Sequence, residues 1–232
     1  MHLRFSLSLA LATLTVSSAF ADLTSEFSVS NGNPNGSWSY GTKTSPTGVF
    51  TAFTNSGTGI ISGPTTVDFW GSSPVFNVPS AFKLTAGTLN GYNGGNGGIS
   101  IGDISLHPGA TNQIAVIRYT VATTGLYDIS ATWGAGDGTS NRGNVDTQLF
   151  LNSSSLFSVA NTGIGQSFNG TAVALNAGDF LDIQVGKGLD EHFYDSTPVN
   201  LAVTQAVPEP ASMAALGLGI LGFARRRKAS RS

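Results

Sequence analysis

Gln113-Ile114-Ala115-Val116-Ile117-Arg118-Tyr119-Thr120-Val121, then Ala122-Thr123-Thr124-Gly125, then Leu126-Tyr127-Asp128-Ile129-Ser130-Ala131-Thr132-Trp133, is the stretch that decides the fold. In the first run Ala115, Ile117, Tyr119 and Val121 recur at every second residue. In the second run Tyr127, Ile129, Ala131 and Trp133 do the same. Side chains alternate across a strand, so an apolar set of period two reads as a half-buried β-strand and not as a helix. Thr123-Thr124-Gly125 is turn chemistry. The pair reads as a hairpin or as its equivalent in a sandwich.

Working outward, the pattern persists in both directions. Val145–Leu151, Leu156–Val159, Ser167–Leu175, Phe180–Val185 and Val199–Thr204 are strand candidates, with Ala177-Gly178-Asp179 as a turn. Upstream, Glu26–Ser30, Ser37–Tyr40, Val49–Phe53, Val67–Trp70, Ala81–Leu84 and Ile99–Leu106 read likewise. Gly, Asn, Ser, Asp and Pro clusters separate them, and no segment of the body carries a strong 3.6-residue period. The predicted fold is all-β: an antiparallel β-sandwich of the jelly-roll kind, spanning residues 22–206 as one domain.

Composition agrees. The 232 residues are 40% hydrophobic but only 10% charged, with 30 Gly, 9 Pro and no Cys. Helical bundles and coiled coils need far more charge to solvate their outer faces. Recurring aromatic and aliphatic residues argue against disorder. Absence of cysteine excludes disulfides, thiolate metal sites and a Cys nucleophile. The formal net charge of −2 is set by the ends: between Asp22 and Val207 five basic residues face twelve acidic ones, a net of −7. Such a body repels phosphate backbones, so no nucleic-acid partner is expected.

Both ends read as targeting segments. Arg4, the apolar run Phe5–Val16 and the small residues Ala19 and Ala21 form the layout of a secretory signal over residues 1–21, with cleavage expected before Asp22. At the other end, residues 207–232 open with Val207-Pro208-Glu209-Pro210. An uncharged run Ala211–Ala224 follows, then Arg225-Arg226-Arg227-Lys228. The prolines keep the motif extended. The run gives a helix of about 21 Å, short of a roughly 30 Å hydrocarbon core, so it sits in a bilayer only by thinning it or by letting the arginines snorkel. Those basic residues hold the tail on the cytoplasmic side. This layout resembles the PEP-CTERM sorting signal of Gram-negative bacteria. The resemblance implies an exosortase-type partner in the inner membrane, which processes the chain near Val207–Pro210. It also implies a transient inner-membrane anchor, export to the cell surface or extracellular matrix, and an association with exopolysaccharide and biofilm.

The chemistry-bearing residues are sparse. Gly98-Ile99-Ser100-Ile101-Gly102 matches a nucleophile-elbow pattern, but strand rather than helix follows it, so it reads as ordinary alternation. His107 and His192 lack zinc-ligand spacing. Asp179, Asp182, Asp190, Glu191 and Asp195 cluster as turn acids with no apolar pocket to retune one of them. Acidic loops with Asn and backbone oxygens suit a hard cation, and Asp137, Asp146, Asp190 and Asp195 are the candidate ligands for a structural Ca²⁺; no other cofactor is implied. Trp38 and Tyr40, in an Asn/Ser/Gly setting, and Tyr92, in a Gly/Asn loop, are the candidate stacking rings for a sugar. The sequence-based reading is an exported, non-catalytic β-sandwich protein that associates with polysaccharide. The rivals are a structural matrix protein without a ligand site and a secreted hydrolase whose residues meet only on folding.

Overall fold

The computed structural model describes residues 20–73, 79–90, 98–135, 144–189 and 191–206. β1 is Phe20–Asp22, and the one-turn helix α1, Leu23–Glu26, follows it directly. Next come β2 (Trp38–Lys43), β3 (Thr51–Ala52), β4 (Ser56–Ser62), β5 (Thr65–Gly71) and β6 (Ser80–Ala86). The short strands β7 (Leu89–Asn90) and β8 (Gly98–Ile99) pair only with each other. The rest of the chain is β9 (Ile104–His107), β10 (Ile114–Thr120), β11 (Gly125–Trp133) and β12 (Val145–Leu151). It closes with β13 (Ser154–Thr162), β14 (Gln166–Leu175), β15 (Phe180–Gly186) and β16 (Thr197–Gln205).

Two antiparallel sheets face each other. The larger runs β14-β11-β16-β9-β6-β5-β4, with β1 added beside β16; the smaller runs β13-β12-β15-β10-β2-β3. The main core lies between them. Ala115, Ile117 and Tyr119 of β10 and Leu181, Ile183 and Val185 of β15 enter it from the small sheet. From the large sheet Tyr127, Ile129, Ala131 and Trp133 of β11 and Val199, Leu201 and Val203 of β16 meet them. The period-two sets read from the sequence are these inward faces. Truncating one such ring to alanine costs about 3–5 kcal/mol. A second, smaller cluster forms where Leu89 and Ile99 of the β7–β8 pair cover Val67, Phe82 and Leu84.

Several expectations need correction. β10 and β11 belong to opposite sheets, so they are the sandwich alternative and not a hairpin. Glu26–Ser30 is not a strand: Asp22 Oδ1 accepts the Thr24 N–H at 3.3 Å and starts α1, and Phe27 N–H closes the turn on Leu23 O at 3.0 Å. Ile99–Leu106 is broken by a turn in which Asp103 N–H reaches Ser100 O at 3.0 Å and Gly102 takes φ 95°. Val49–Phe53 shrinks to β3, and β4, rich in Gly and Ser, was not anticipated. The boundary drawn at Asp22 falls inside β1, where Phe20 and Ala21 pair with Thr204 and Val203. The signal segment before Phe20 and the apolar helix 211–224 lie outside the described residues, among which no helix is long and apolar enough to cross a membrane.

Candidate functional site

Along β16, Thr197 and Pro198 pair with β9, and Ala202–Thr204 pair with β1 on the same edge. Val199–Leu201 therefore have a strand partner only on the β11 side. A cavity of about 220 Å³ lies at this split. Thr24, Asp103, Thr132, Trp133, Pro198 and Asn200 are among its lining residues. Thr24 Oγ1 donates to Asn200 Oδ1 at 3.0 Å, which leaves the Asn200 Nδ2–H groups as donors. Asp103 Oδ2 accepts the Ser100 N–H at 2.7 Å, and Lys83 Nζ donates to Thr24 O at 3.0 Å. Hydroxyls, an amide, a carboxylate and an incompletely paired strand edge suit a small hydroxylated ligand, because together they offer both donors and acceptors in directional hydrogen bonds.

A second polar place lies where β9 meets β16. His107 and His192 are both buried, with ring centroids 6.2 Å apart. Ser196 Oγ sits 3.3 Å from His107 Nδ1, and Asp195 beside it is fully buried. A Ser–His contact is the start of a nucleophile–base pair. Neither residue lines the cavity described above.

The third is on the outer face of the small sheet. Asp182 is fully buried and pairs with Lys43 Nζ at 2.7 Å and with Arg118 Nε at 2.7 Å and Nη2 at 2.9 Å. The guanidinium lies between Phe50 and Phe180, 4.3 and 3.7 Å from their ring centroids. Residues 44–50 strap across this face: Pro46 O accepts from Lys43 Nζ at 3.0 Å and from Gln184 Nε2 at 3.2 Å. Gly41 permits the crossing, because a Cβ there would lie 2.6 Å from the Phe50 ring and collide with Thr51 O.

The candidate stacking rings are not where the sequence placed them. Trp38 and Tyr40 are fully buried, so the expectation of exposed rings is corrected. Trp38 Nε1 donates to Glu26 Oε2 at 2.5 Å, and Tyr40 stacks on Trp70 at 5.8 Å with an interplanar angle of 7°. The polar residues around them are turned inward. Asn33 Nδ2 donates to Tyr40 O at 2.7 Å and to Phe53 O at 2.9 Å, while Asn33 Oδ1 accepts the Tyr40 N–H at 2.9 Å. One side-chain amide thus does what a neighbouring strand does elsewhere in the sheet. Burial raises the Tyr40 and Tyr119 phenols above their ordinary value of 10.0.

Of the calcium candidates, Asp146 accepts the Asn161 N–H at 2.9 Å. Asp195 is buried and its carbonyl accepts Thr197 Oγ1 at 3.0 Å. Asp137 and Asp190 lie outside the described residues, as do Ala19, Tyr92, Val207–Pro210 and Arg225–Lys228. Among the described residues no three His, Cys, Asp or Glu side chains are gathered as metal ligands. Ser100 sits in the exposed turn before β9 and Ala21 in β1. The cavity residues and the Lys43–Asp182–Arg118 cluster were not anticipated. Asp182, read from the sequence as a turn acid, is instead fully buried within β15, and the one sequence signal of the cluster was Arg118, a lone charge inside the apolar run of β10.

Comparison with known proteins adds the tail. Residues 206–228 match the family model for the PEP-CTERM protein-sorting motif, so the chain carries that motif at its C-terminal end. The motif is one that exosortase recognises, and it implies export and sorting to the cell surface. No curated protein matches the chain. Among solved structures, the CBM51 from Clostridium perfringens GH95 in complex with methyl-galactose is 14% identical, covers 67% of this chain and 95% of that one, and has a TM-score of 0.35. The GH26-CBM35 β-(1,4)-mannanase of Podospora anserina is 18% identical over 58% of this chain and 29% of that one, with a TM-score of 0.31. Pika GITRL is 14% identical over 40% and 79%, with a TM-score of 0.30. At these scores none carries an argument about this chain.

Proposed function

We propose that this is an exported, non-catalytic protein of the cell surface or extracellular matrix, released from a transient membrane anchor by exosortase and associating with exopolysaccharide in a biofilm. The observation that carries the reading is the sorting motif at residues 206–228. The body is read as a jelly roll. From β9 onward the strands order as β9-β16-β11-β14 in one sheet and β10-β15-β12-β13 in the other. That is the alternation of two Greek keys. The polysaccharide contact is assigned to the cavity at the split of the large sheet, whose Thr24, Asp103, Thr132 and Asn200 supply hydroxyl, carboxylate and amide partners for sugar hydroxyls.

Two measurements test this. Mass spectrometry of the protein recovered from the cell surface is expected to find no Arg225–Lys228; an intact tail in mature material rules out the sorting argument. Residues 20–206, retained on the producing organism's own polysaccharide, are expected to lose retention at least about tenfold on Asn200→Ala. No retention of the unaltered body favours the second reading, a structural matrix protein without a ligand site. One observation already favours that reading: every described Trp, and every described Tyr but Tyr194, is buried, so they offer a sugar no broad flat ring.

A further inference from the structure

A peptidase that removes a secretory signal reads small residues at the −3 and −1 positions before its cut. The N-terminal segment satisfies that rule in two registers. Ala19 and Ala21 place the cut before Asp22, whereas Ser17 and Ala19 place it before Phe20. Residue type alone admits both, and the folded product separates them.

β1 is Phe20–Asp22, and each of its residues pairs with β16: Phe20 with Thr204, Ala21 with Val203 and Asp22 with Ala202. Ala21 is 8% exposed and belongs to the main core. The compact unit of the body runs from Phe20 to Gln205. A cut before Asp22 takes Phe20 and Ala21 away, so Val203 and Thr204 lose their partners on that side of β16 and bare a strand edge. The loss lies next to the start of α1. Asp22 Oδ1 accepts the Thr24 N–H at 3.3 Å, and Asp22 O accepts Ser25 Oγ at 3.1 Å. That turn carries Thr24 to the cavity. A cut before Phe20 leaves all of this in place, and the new amine falls on a residue that is 60% exposed.

We infer that the chain is cut between Ala19 and Phe20, with Ser17 and Ala19 as the small residues that the peptidase reads. The step is a hydrolysis. The C–N bond from Ala19 to Phe20 breaks, the oxygen of a water molecule completes the Ala19 carboxylate, and the Phe20 nitrogen takes up hydrogen to become the free amine. The inference rests on the export reading above and fixes where the exported chain begins.

Intact-mass and N-terminal analysis of the protein recovered from the cell surface is expected to find Phe20 first. A start at Asp22 overturns the inference and leaves export standing; a chain that still begins at Met1 overturns both. Ser17→Gln separates the registers without touching the folded body. It sets a long side chain at −3 for the cut before Phe20, but outside the two positions read for the cut before Asp22. Processing is expected to slow at least about tenfold, and an unchanged rate overturns the inference. Residues 22–206, compared with 20–206 in urea, are expected to unfold with an equilibrium constant at least about tenfold larger, because ladder bonds and a buried side chain are gone. Equal stability of the two bodies overturns the inference as well.

Discussion

Removing the Asp182 carboxylate is the sharpest perturbation of this fold. Asp182 is fully buried and Lys43 is 2% exposed, so Asp182→Ala leaves the ammonium with the Pro46 carbonyl at 3.0 Å as its remaining hydrogen-bond partner. The Phe150 ring, 5.8 Å away, adds little. Arg118 fares better, being 19% exposed and stacked between two rings. Breaking a buried pair while keeping one charge costs about 3–5 kcal/mol, most of it here the stranded lysine. For a body of this size each kcal/mol moves Tm by about 2–4 °C, so the expected drop is roughly 6–20 °C. Urea unfolding of residues 20–206, followed by tryptophan fluorescence, reads the free energy directly, with an unchanged slope confirming that only stability moved. Lys43→Met in the Asp182→Ala background should return a large part of the loss, because the stranded charge goes with it. A loss below about 1 kcal/mol, or no recovery in the double variant, would refute the argument that this face is dry and its charges mutually dependent.

Other consequences are simpler. Gly41→Ala is expected to destabilise by about 1–3 kcal/mol, through overpacking against Phe50 and Thr51, and to loosen the 44–50 strap; hydrogen exchange at Thr42 and Lys43 together with the urea midpoint checks both effects. Stability is expected to be insensitive to the tyrosines below pH 10 and to fall as pH climbs above it. The folded state holds the Tyr40 and Tyr119 protons after the unfolded chain has released them, so above pH 10 unfolding releases protons and is favoured by alkali. Urea midpoints from pH 9 to 11.5 measure this, and Tyr40→Phe should flatten the decline; an equally steep decline in that variant would remove Tyr40 from the account.

How much was visible beforehand follows from the range of the interactions. The inward faces of β10 and β11 were readable because period two is local: Ile117 and Ile129 announce themselves within a few residues. Val116, on the opposite face of β10, is also fully buried, and its cross-strand partners Gly41 and Gln184 are the residues that the 44–50 strap reaches. Trp38 and Tyr40 were misplaced for a related reason. Asn and Gly around an aromatic usually mean solvent, but here Asn33 spends its amide on the backbone of Tyr40 and Phe53. The cavity draws on residues near 24, 103, 132 and 198–200, brought together only by the order of β1, β9, β11 and β16. Asp182 and Lys43 sit on strands separated by most of the body, and no spacing rule links them. The tail was legible because its signal is contiguous: Pro-Glu-Pro, an apolar run and arginines in a row.

The place of β16 has a mechanical consequence. The strand leads directly into the sorting tail, and it is an interior strand, held on one side by the seven-residue ladder with β11 and on the other by β9 and β1. A load hung on the C-terminus enters the sheet lengthwise along an interior strand. Pulling β16 free means sliding it past neighbours on both sides at once, whereas a tether on an outer strand would unzip one bond at a time. A body held through its C-terminus is held by an interior strand of the large sheet.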